Sequence, residues 1–284
     1  MNKKIKVAIQ GYKGSYTHQI LEKVFKKNKI DYILSENETF HDAFESLRKN
    51  GIGLIPIENS TAGFVEPVID ELISDDFEIV GETFLDINHT FLVNKEVKNI
   101  KEIKKAYSHY QALLQTSDFL KKNKIKAVDI GDTAGGAKYI KENKILDGSA
   151  IGSEILAEIY DLKILAKKIN NEENNKTRFF LIRKKGKFKE IEEKIRFKNR
   201  KYKTSLIFKT RHISGALYKA LGGFATNDVN LRALISRPVK NNPFDYKFYV
   251  EFDGKIDDKK VQAALNELEF FSEKIIYLGS YREM

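Results

Sequence analysis

The sequence contains no cysteine. That absence excludes disulfides, a thiolate nucleophile and thiolate metal sites, and it fits a chain working in a reducing cytoplasm. Long apolar runs are missing too: nothing approaches the roughly 20 residues a membrane-spanning helix needs. The start, Met1-Asn2-Lys3-Lys4, is basic, but the apolar stretch Ile5 to Ile9 is broken by Lys6 and runs into Gln10-Gly11-Tyr12-Lys13. Without an apolar h-region, no secretory leader is expected. Gly11-Tyr12-Lys13-Gly14 has neither phosphate-loop nor three-glycine dinucleotide spacing, so ATP and NAD are poorly supported. The five histidines, His18, His41, His89, His109 and His212, show no ligand spacing, and neither a metal nor a cofactor is expected. His89, beside Thr90 in a strand pattern, reads as structural. No nucleophile-elbow motif marks a serine hydrolase. Arginine is scarce in the first 184 residues, where only Arg48, Arg178 and Arg183 occur. Because arginine grips carboxylates with two parallel bonds, Arg178 stands out in a chain that mostly uses lysine.

What is present describes a soluble protein with a sizeable core. At 284 residues, 42% hydrophobic and 32% charged, the chain has room for two or three folded units. The net charge of +10 invites a nucleic-acid reading. Its location argues against one: between Arg183 and Lys203 eleven basic residues face three acids, and the rest is close to balanced. Such a run reads as a solvated linker, so no nucleic acid and no membrane partner is expected.

Hydrophobic patterning divides the chain. Up to about residue 184, short apolar strands alternate with helices. Strands are expected at Lys4 to Gln10, Ile52 to Ile57, Phe77 to Val93 (two, around Asp86), Lys105 to Tyr107, Ala127 to Ile130, Lys163 to Ile169 and Arg178 to Arg183. Thr39 with Asp42 resembles a capping box, ahead of Phe40, Ala43, Phe44 and Leu47 on one helical face. This alternation implies parallel sheets covered by helices, with ligands outside the carboxyl ends of strands. From Lys203 onward the order becomes β-α-β-β-α-β, a ferredoxin-like sandwich.

Five polar clusters interrupt the first region: Gly14 to His18, Glu58 to Gly63, Ser108 to Ala112, Asp132 to Gly136, and Asn175 to Phe179. Taken singly, Ser15, Ser60, Ser108 and Thr133 read as helix N-caps. Five clusters at equivalent strand ends favour a polar pocket for a small anion.

At these clusters the chain resembles the prephenate dehydratase family over almost its whole length. Ile55-Pro56-Ile57-Glu58-Asn59-Ser60 is similar to the family's signature turn. Ser108-His109-Tyr110-Gln111-Ala112-Leu113 resembles its Ser-His-Pro-Gln-Ala-Leu motif, with Tyr110 replacing proline. Asn175-Lys176-Thr177-Arg178-Phe179 resembles its Asn-x-Thr-Arg-Phe motif. The resemblance implies an α/β fold: a two-lobed catalytic domain like type II periplasmic binding proteins, plus an α+β ferredoxin-like ACT domain. The implied layout is a catalytic domain over 1–184, a basic linker over 185–202 and a regulatory domain over 203–284. Lobe one would cover about 1–82 and 166–184, and lobe two about 83–165. Because the first motif starts by residue 10, no fused chorismate mutase domain is expected.

The implied reaction converts prephenate to phenylpyruvate with loss of CO2 and water, without a cofactor. Thr177 would be the donor or proton relay at the leaving hydroxyl, and Arg178 a carboxylate anchor or a brace. Asn59, Ser60, Thr61, Ser108, Gln111 and Thr133 would orient the substrate, Phe179 would form wall or core, and Glu58 would hold a proton or serve structure. In the ACT-like region, Gly215-Ala216-Leu217, Asn230-Leu231 and Ser236-Arg237-Pro238 match the family's effector stretches, implying phenylalanine as effector and a homodimer or homotetramer. Ser214 replaces a usual proline and Ile235 a usual glutamate, which leaves the strength of that control open. Two alternatives stand beside this reading. One is an arogenate dehydratase, since Gln10-Gly11 and Asp132-Thr133-Ala134-Gly135 look somewhat like plant versions. The other is a non-catalytic amino-acid sensor on the same lobes.

Overall fold

A computed structural model describes residues 4–239 and 245–284. The chain begins with strand β1 (Ile5–Gln10), helix α1 (Tyr16–Lys27), β2 (Tyr32–Asn37), α2 (Phe40–Asn50), β3 (Ile52–Asn59) and β4 (Gly63–Phe64). It continues through α3 (Glu66–Leu72), β5 (Phe77–Asp86), β6 (Thr90–Val93), β7 (Lys105–Ser108), α4 (Tyr110–Leu114) and α5 (Ser117–Lys122). Next come β8 (Lys126–Asp129), α6 (Thr133–Glu142), β9 (Gly148–Gly152), α7 (Leu156–Ile159), β10 (Lys163–Lys167), β11 (Lys176–Lys184) and α8 (Glu190–Lys194). The last third holds β12 (Lys203–Thr210), α9 (Ala216–Thr226), β13 (Leu231–Pro238), β14 (Tyr246–Asp253), α10 (Lys259–Phe270) and β15 (Ser272–Glu283).

Two compact units result. The first comprises Met1–Val65 with Phe84–Phe179, the second Glu66–Thr83 with Phe180–Met284. Strands β5 and β11 are the crossing segments, each beginning in one unit and ending in the other.

The first unit has two sheets. One runs β2-β1-β3-β11, with β4 folded back on β3; the other runs β10-β6-β9-β7-β8. Neighbours β1 and β2 are parallel, whereas β6 pairs antiparallel with both β10 and β9. The sheets are thus mixed, correcting the parallel sheets expected from alternation alone. The chain enters and leaves the second sheet through 87–89 and 168–175, short segments that hold no crossover helix of the kind a parallel connection needs. Strand β6 is buried on both faces. Phe91 and Val93 join a cluster with Ala112, Leu113 and Leu120, while Leu92 packs with Ala134, Ala137 and Ile140 from α6. Helix α2 is capped as expected, Thr39 Oγ1 accepting from Asp42 N at 3.1 Å, and buries Ala43, Phe44 and Leu47.

In the second unit β12, β13, β14 and β15 form an antiparallel sheet ordered β13-β14-β12-β15, as a β-α-β-β-α-β sequence demands. Helices α9 and α10 cover one face through Ala220, Phe224, Val261, Ala264, Leu265 and Leu268. The end of β15 pairs in parallel with β5 at Gly81 and Glu82. The basic segment read as a linker contains α8, held by buried Ile191 and Ile195, and Arg282 lies over the ring of Phe197 at 4.1 Å. Among the described residues no helix is long and apolar enough to cross a membrane.

Candidate functional site

The polar clusters of the first unit border one cleft with a volume of about 370 Å³, within the small-molecule range of roughly 300–1,000 Å³. Its walls are the carboxyl ends of β1 and β3, the turns that follow β7 and β8, and the first turns of α1, α4 and α6. Gln10, Tyr16 and Thr17 come from the first of these regions, Asn59 from the second, Gln111 from the third and Thr133 from the fourth. Apolar surface comes from Phe40, Phe64, Ile87 and Phe179.

One hydrogen-bonded chain runs through the cleft, and its directions are fixed by groups that can only donate. Asn59 Oδ1 accepts from the backbone N–H groups of Thr61 and Ala62, both at 3.1 Å. That fixes the amide, so Asn59 Nδ2 donates to Asn175 Oδ1 at 2.7 Å and to Thr177 Oγ1 at 2.9 Å. With Asn175 Oδ1 accepting, Asn175 Nδ2 donates to Gln115 Oε1 at 2.9 Å, and Gln115 Nε2 donates to Thr61 Oγ1 at 2.6 Å. Gln115 Oε1 is thereby an acceptor, so His89 Nε2, 2.9 Å away, must carry hydrogen. His89 Nδ1 is then left as an acceptor 3.0 Å from Tyr16 OH, whose one hydrogen also has Asn88 O within 3.0 Å. Burial pushes the His89 imidazole down to about 4, which keeps the ring neutral, as the chain requires. Enclosure raises the Tyr16 phenol well above its ordinary range. Because Thr177 Oγ1 already accepts from Asn59, its own hydrogen is left to donate into the cleft.

Strand alternation decides which motif residues face this space. Thr177 and Phe179 line the cleft, whereas Arg178, between them on β11, points to the opposite side. Its buried guanidinium lies 3.5 Å from Glu58 Oε2. The anchoring role open to Arg178 is therefore corrected to bracing, and Glu58 is its partner and not a cleft acid. Ser108 is wholly buried and donates to Ile151 O at 2.5 Å, so it supports the second sheet and makes no wall of the cleft. Ser60 is spent as a staple, donating to Asn174 O and accepting from Lys176 N, both at 2.9 Å. Thr61 belongs to the hydrogen-bonded chain and lines a smaller adjoining cavity of about 160 Å³, which shares Gln111 and Gln115 with the cleft. Of the four residues read as N-caps only Ser15 is one, accepting from His18 N at 3.3 Å. His109 caps α4 and Asp132 caps α6.

Sequence reasoning missed Tyr16, His89, Gln115 and Asp132. Gln115 follows Gln111 by four residues, which puts both on one helical face. His89 was masked by its place beside an apolar strand. Among the described residues no lysine or arginine lines the cleft, and its one carboxylate is Asp132. Positive potential comes instead from the first turns of α1 and α6, whose N–H groups and dipoles suit anions. Among the described residues no group of three or more His, Asp or Glu side chains could hold a metal ion.

In the second unit, Gly215 precedes α9 with φ +67°, Ala216 begins that helix and Leu217 packs against its core. Leu231 opens β13 and packs likewise, while Asn230 donates to Asp253 Oδ2 at 3.3 Å. Ser236 and Pro238 are exposed on β13. Arg237, expected to meet an effector, has its guanidinium on α3: Nε and Nη2 donate to the two oxygens of Asp70 at 2.7 and 2.8 Å, and Nη1 donates to Glu66.

Comparison with known proteins fits this geometry. A family model described as prephenate dehydratase matches residues 7–187. The prephenate dehydratase of Methanocaldococcus jannaschii is 37% identical over 273 residues, 95% of each chain. Arogenate dehydratase/prephenate dehydratase 2 of Arabidopsis thaliana is 35% identical over 289 residues, 98% of this chain and 73% of that one. Among solved structures, prephenate dehydratase from Arthrobacter aurescens in complex with L-Phe superposes with a TM-score of 0.84 at 25% identity, covering 98% of this chain and 90% of that one.

Proposed function

The chain belongs to the prephenate dehydratase family, and from that premise we propose that its cleft turns prephenate into phenylpyruvate with Thr177 as the donor at the leaving hydroxyl. Prephenate carries a ring carboxylate and a pyruvyl side chain on one ring carbon and a hydroxyl across the ring. When the bond to the ring carboxylate breaks, its electron pair enters the ring, CO2 leaves, and the hydroxyl departs opposite with a proton as water. Aromatisation drives the step, so the protein's task is to hold the dianion, deliver a hydrogen bond to the departing oxygen and leave the ring carboxylate poorly solvated.

One observation carries this reading: Asn59 Nδ2 donates to Thr177 Oγ1, which aims the Thr177 hydrogen away from Asn59. A donor fixed in this way needs no reorientation as charge develops on the leaving oxygen. Its proton must be replaced after each turnover through water, since a threonine hydroxyl is a feeble acid. Carboxylates would lie against the first turns of α1 and α6, near Thr17 and Thr133, and Phe40 and Phe179 would sandwich the ring.

The same reading makes the second unit a phenylalanine-responsive ACT-type domain, working in a homo-oligomer in the cytoplasm. Its ferredoxin-like topology and the left-handed Gly215 ahead of α9 support this. The test of the catalytic reading is direct: purified protein incubated with prephenate should release CO2 and phenylpyruvate in equal amounts. Absence of both products would remove the assignment.

A further inference from the structure

His89 does more in the cleft than a satisfied core histidine would. It is 2% exposed, yet it lines the cleft and meets both of its sides. Nδ1 lies 3.0 Å from the hydroxyl of Tyr16, the first residue of α1, which packs on the first sheet. Nε2 donates at 2.9 Å to Gln115, which ends α4 beside the second sheet. The rings of Tyr16 and His89 also meet edge to face, with centroids 5.6 Å apart. The backbone of His89 is held as well: its N–H donates to Asn170 Oδ1 at 2.7 Å, and its carbonyl accepts from Ile169 N at 3.1 Å. Asn170 Nδ2 donates in turn to Ile87 O at 2.9 Å, so the two segments that cross between the sheets are laced together at this residue. An imidazole fits such a place. It sets one donor and one acceptor at a fixed separation on a rigid ring, whereas an amide side chain carries both at one end.

Gln115 is the group this arrangement holds. Its Oε1 takes hydrogens from His89 Nε2 and Asn175 Nδ2, and its Nε2 gives to Thr61 Oγ1 at 2.6 Å and to Asn59 Oδ1 at 3.2 Å. Flipping that amide would set its nitrogen against two donors, His89 Nε2 and Asn175 Nδ2. Asn59, which aims the Thr177 hydroxyl, is one of the two acceptors that Gln115 serves. Resting on the dehydratase reading above, we infer that His89 is a positioning residue for that reaction. It ties the α1 side of the cleft to the α4 side and holds Gln115, so that Asn59 keeps its hydrogen on Thr177 Oγ1. His89 acts through these two amides and not on the reacting atoms.

Steady-state kinetics with prephenate test this in the wild type, His89→Gln, His89→Asn, Gln115→Met and the double variant His89→Asn/Gln115→Met, each with its melting temperature. The longer amide of His89→Gln can donate to Gln115 from the place of Nε2. The amide of His89→Asn ends near the place of Nδ1 and leaves Gln115 without this donor. His89→Gln should keep most of the wild-type kcat. His89→Asn should lose about 10–100-fold in kcat, the effect of leaving one buried hydrogen-bonding group unmatched, with a smaller change in KM. Because His89 acts through Gln115, the double variant should lose little more than Gln115→Met alone. Wild-type kcat in His89→Asn overturns the inference and leaves the dehydratase reading intact. So do equal losses in His89→Gln and His89→Asn, and so do losses that add in the double variant. Gln115→Met keeps His89 in place and should lose at least as much kcat as His89→Asn; wild-type kcat there overturns the inference even where His89→Asn fails to fold. Wild type that releases no phenylpyruvate defeats both readings.

Discussion

Thr177 acts in this account because of what Asn59 does to it. Asn59 is held by two backbone donors, so its amide nitrogen can only give a hydrogen to Thr177, and the hydroxyl must give its own elsewhere. Asn59→Asp keeps the shape and the two backbone bonds but offers Thr177 an acceptor, drawing its hydrogen out of the cleft. The expected result is a fall in kcat of about 100-fold or more with a smaller change in KM, checked by steady-state kinetics with prephenate. Wild-type kcat in that variant contradicts the polarity argument. His89 gives the chain its far end and a pH signature. Its folded pKa, about 4, lies below the ordinary 6.5, so the unfolded chain binds the proton first as pH falls. The stability it contributes is complete above about 6.5 and declines as pH drops from there towards 4. Melting temperatures across this window should fall less steeply in His89→Gln, which cannot titrate. Parallel slopes in the two proteins would show that His89 is not the group responsible.

At the scale of elements, β11 shows what period-2 geometry does to a motif. Thr177 and Phe179 face the cleft, and Arg178 faces Glu58. Arg178→Met should therefore destabilise the fold by about 2–4 kcal/mol, as expected when one partner of a largely buried pair is removed, with KM for prephenate near wild type. Denaturant melts and kinetics together check this; a KM raised about 10–100-fold in a fold of unchanged stability would return Arg178 to the anchoring role. Much of this architecture was legible in the sequence. The core strands β1, β3 and β6 are apolar runs, and the Thr39–Asp42 cap announced α2. Strand β2 was not legible, because its polar Ser35-Glu36-Asn37 end and half-exposed Ile33 carry little apolar signal. The motifs delivered Asn59, Gln111 and Thr177 to the cleft. Ser108 and Arg178 lie in the same motifs but support the site from behind, and linear spacing does not separate a cleft face from a supporting face. Gln115 and His89 were hidden because their role exists only once α4 and the 87–89 crossing are brought together.

At the scale of the molecule, the proposed function assigns catalysis to the first unit and regulation to the second. Helix α3, gripped by Arg237 in the second unit, follows directly in sequence from the loop ending at Val65, which lines the cleft. Phenylalanine binding to the native protein should raise its melting temperature, by an amount equivalent to about 2.7 kcal/mol at 100 times Kd, and should change the rate with prephenate. A melting temperature and a rate both indifferent to phenylalanine would remove the regulatory role. The central claim concerns one hydroxyl, and the most direct measurement is kcat with saturating prephenate for wild type, Thr177→Ser and Thr177→Val. Valine matches threonine in shape and lacks the donor; serine keeps it. The account predicts that Thr177→Ser retains substantial turnover, while Thr177→Val stays folded and loses a factor of about 100–10,000. Comparable phenylpyruvate formation by Thr177→Val and wild type would contradict it.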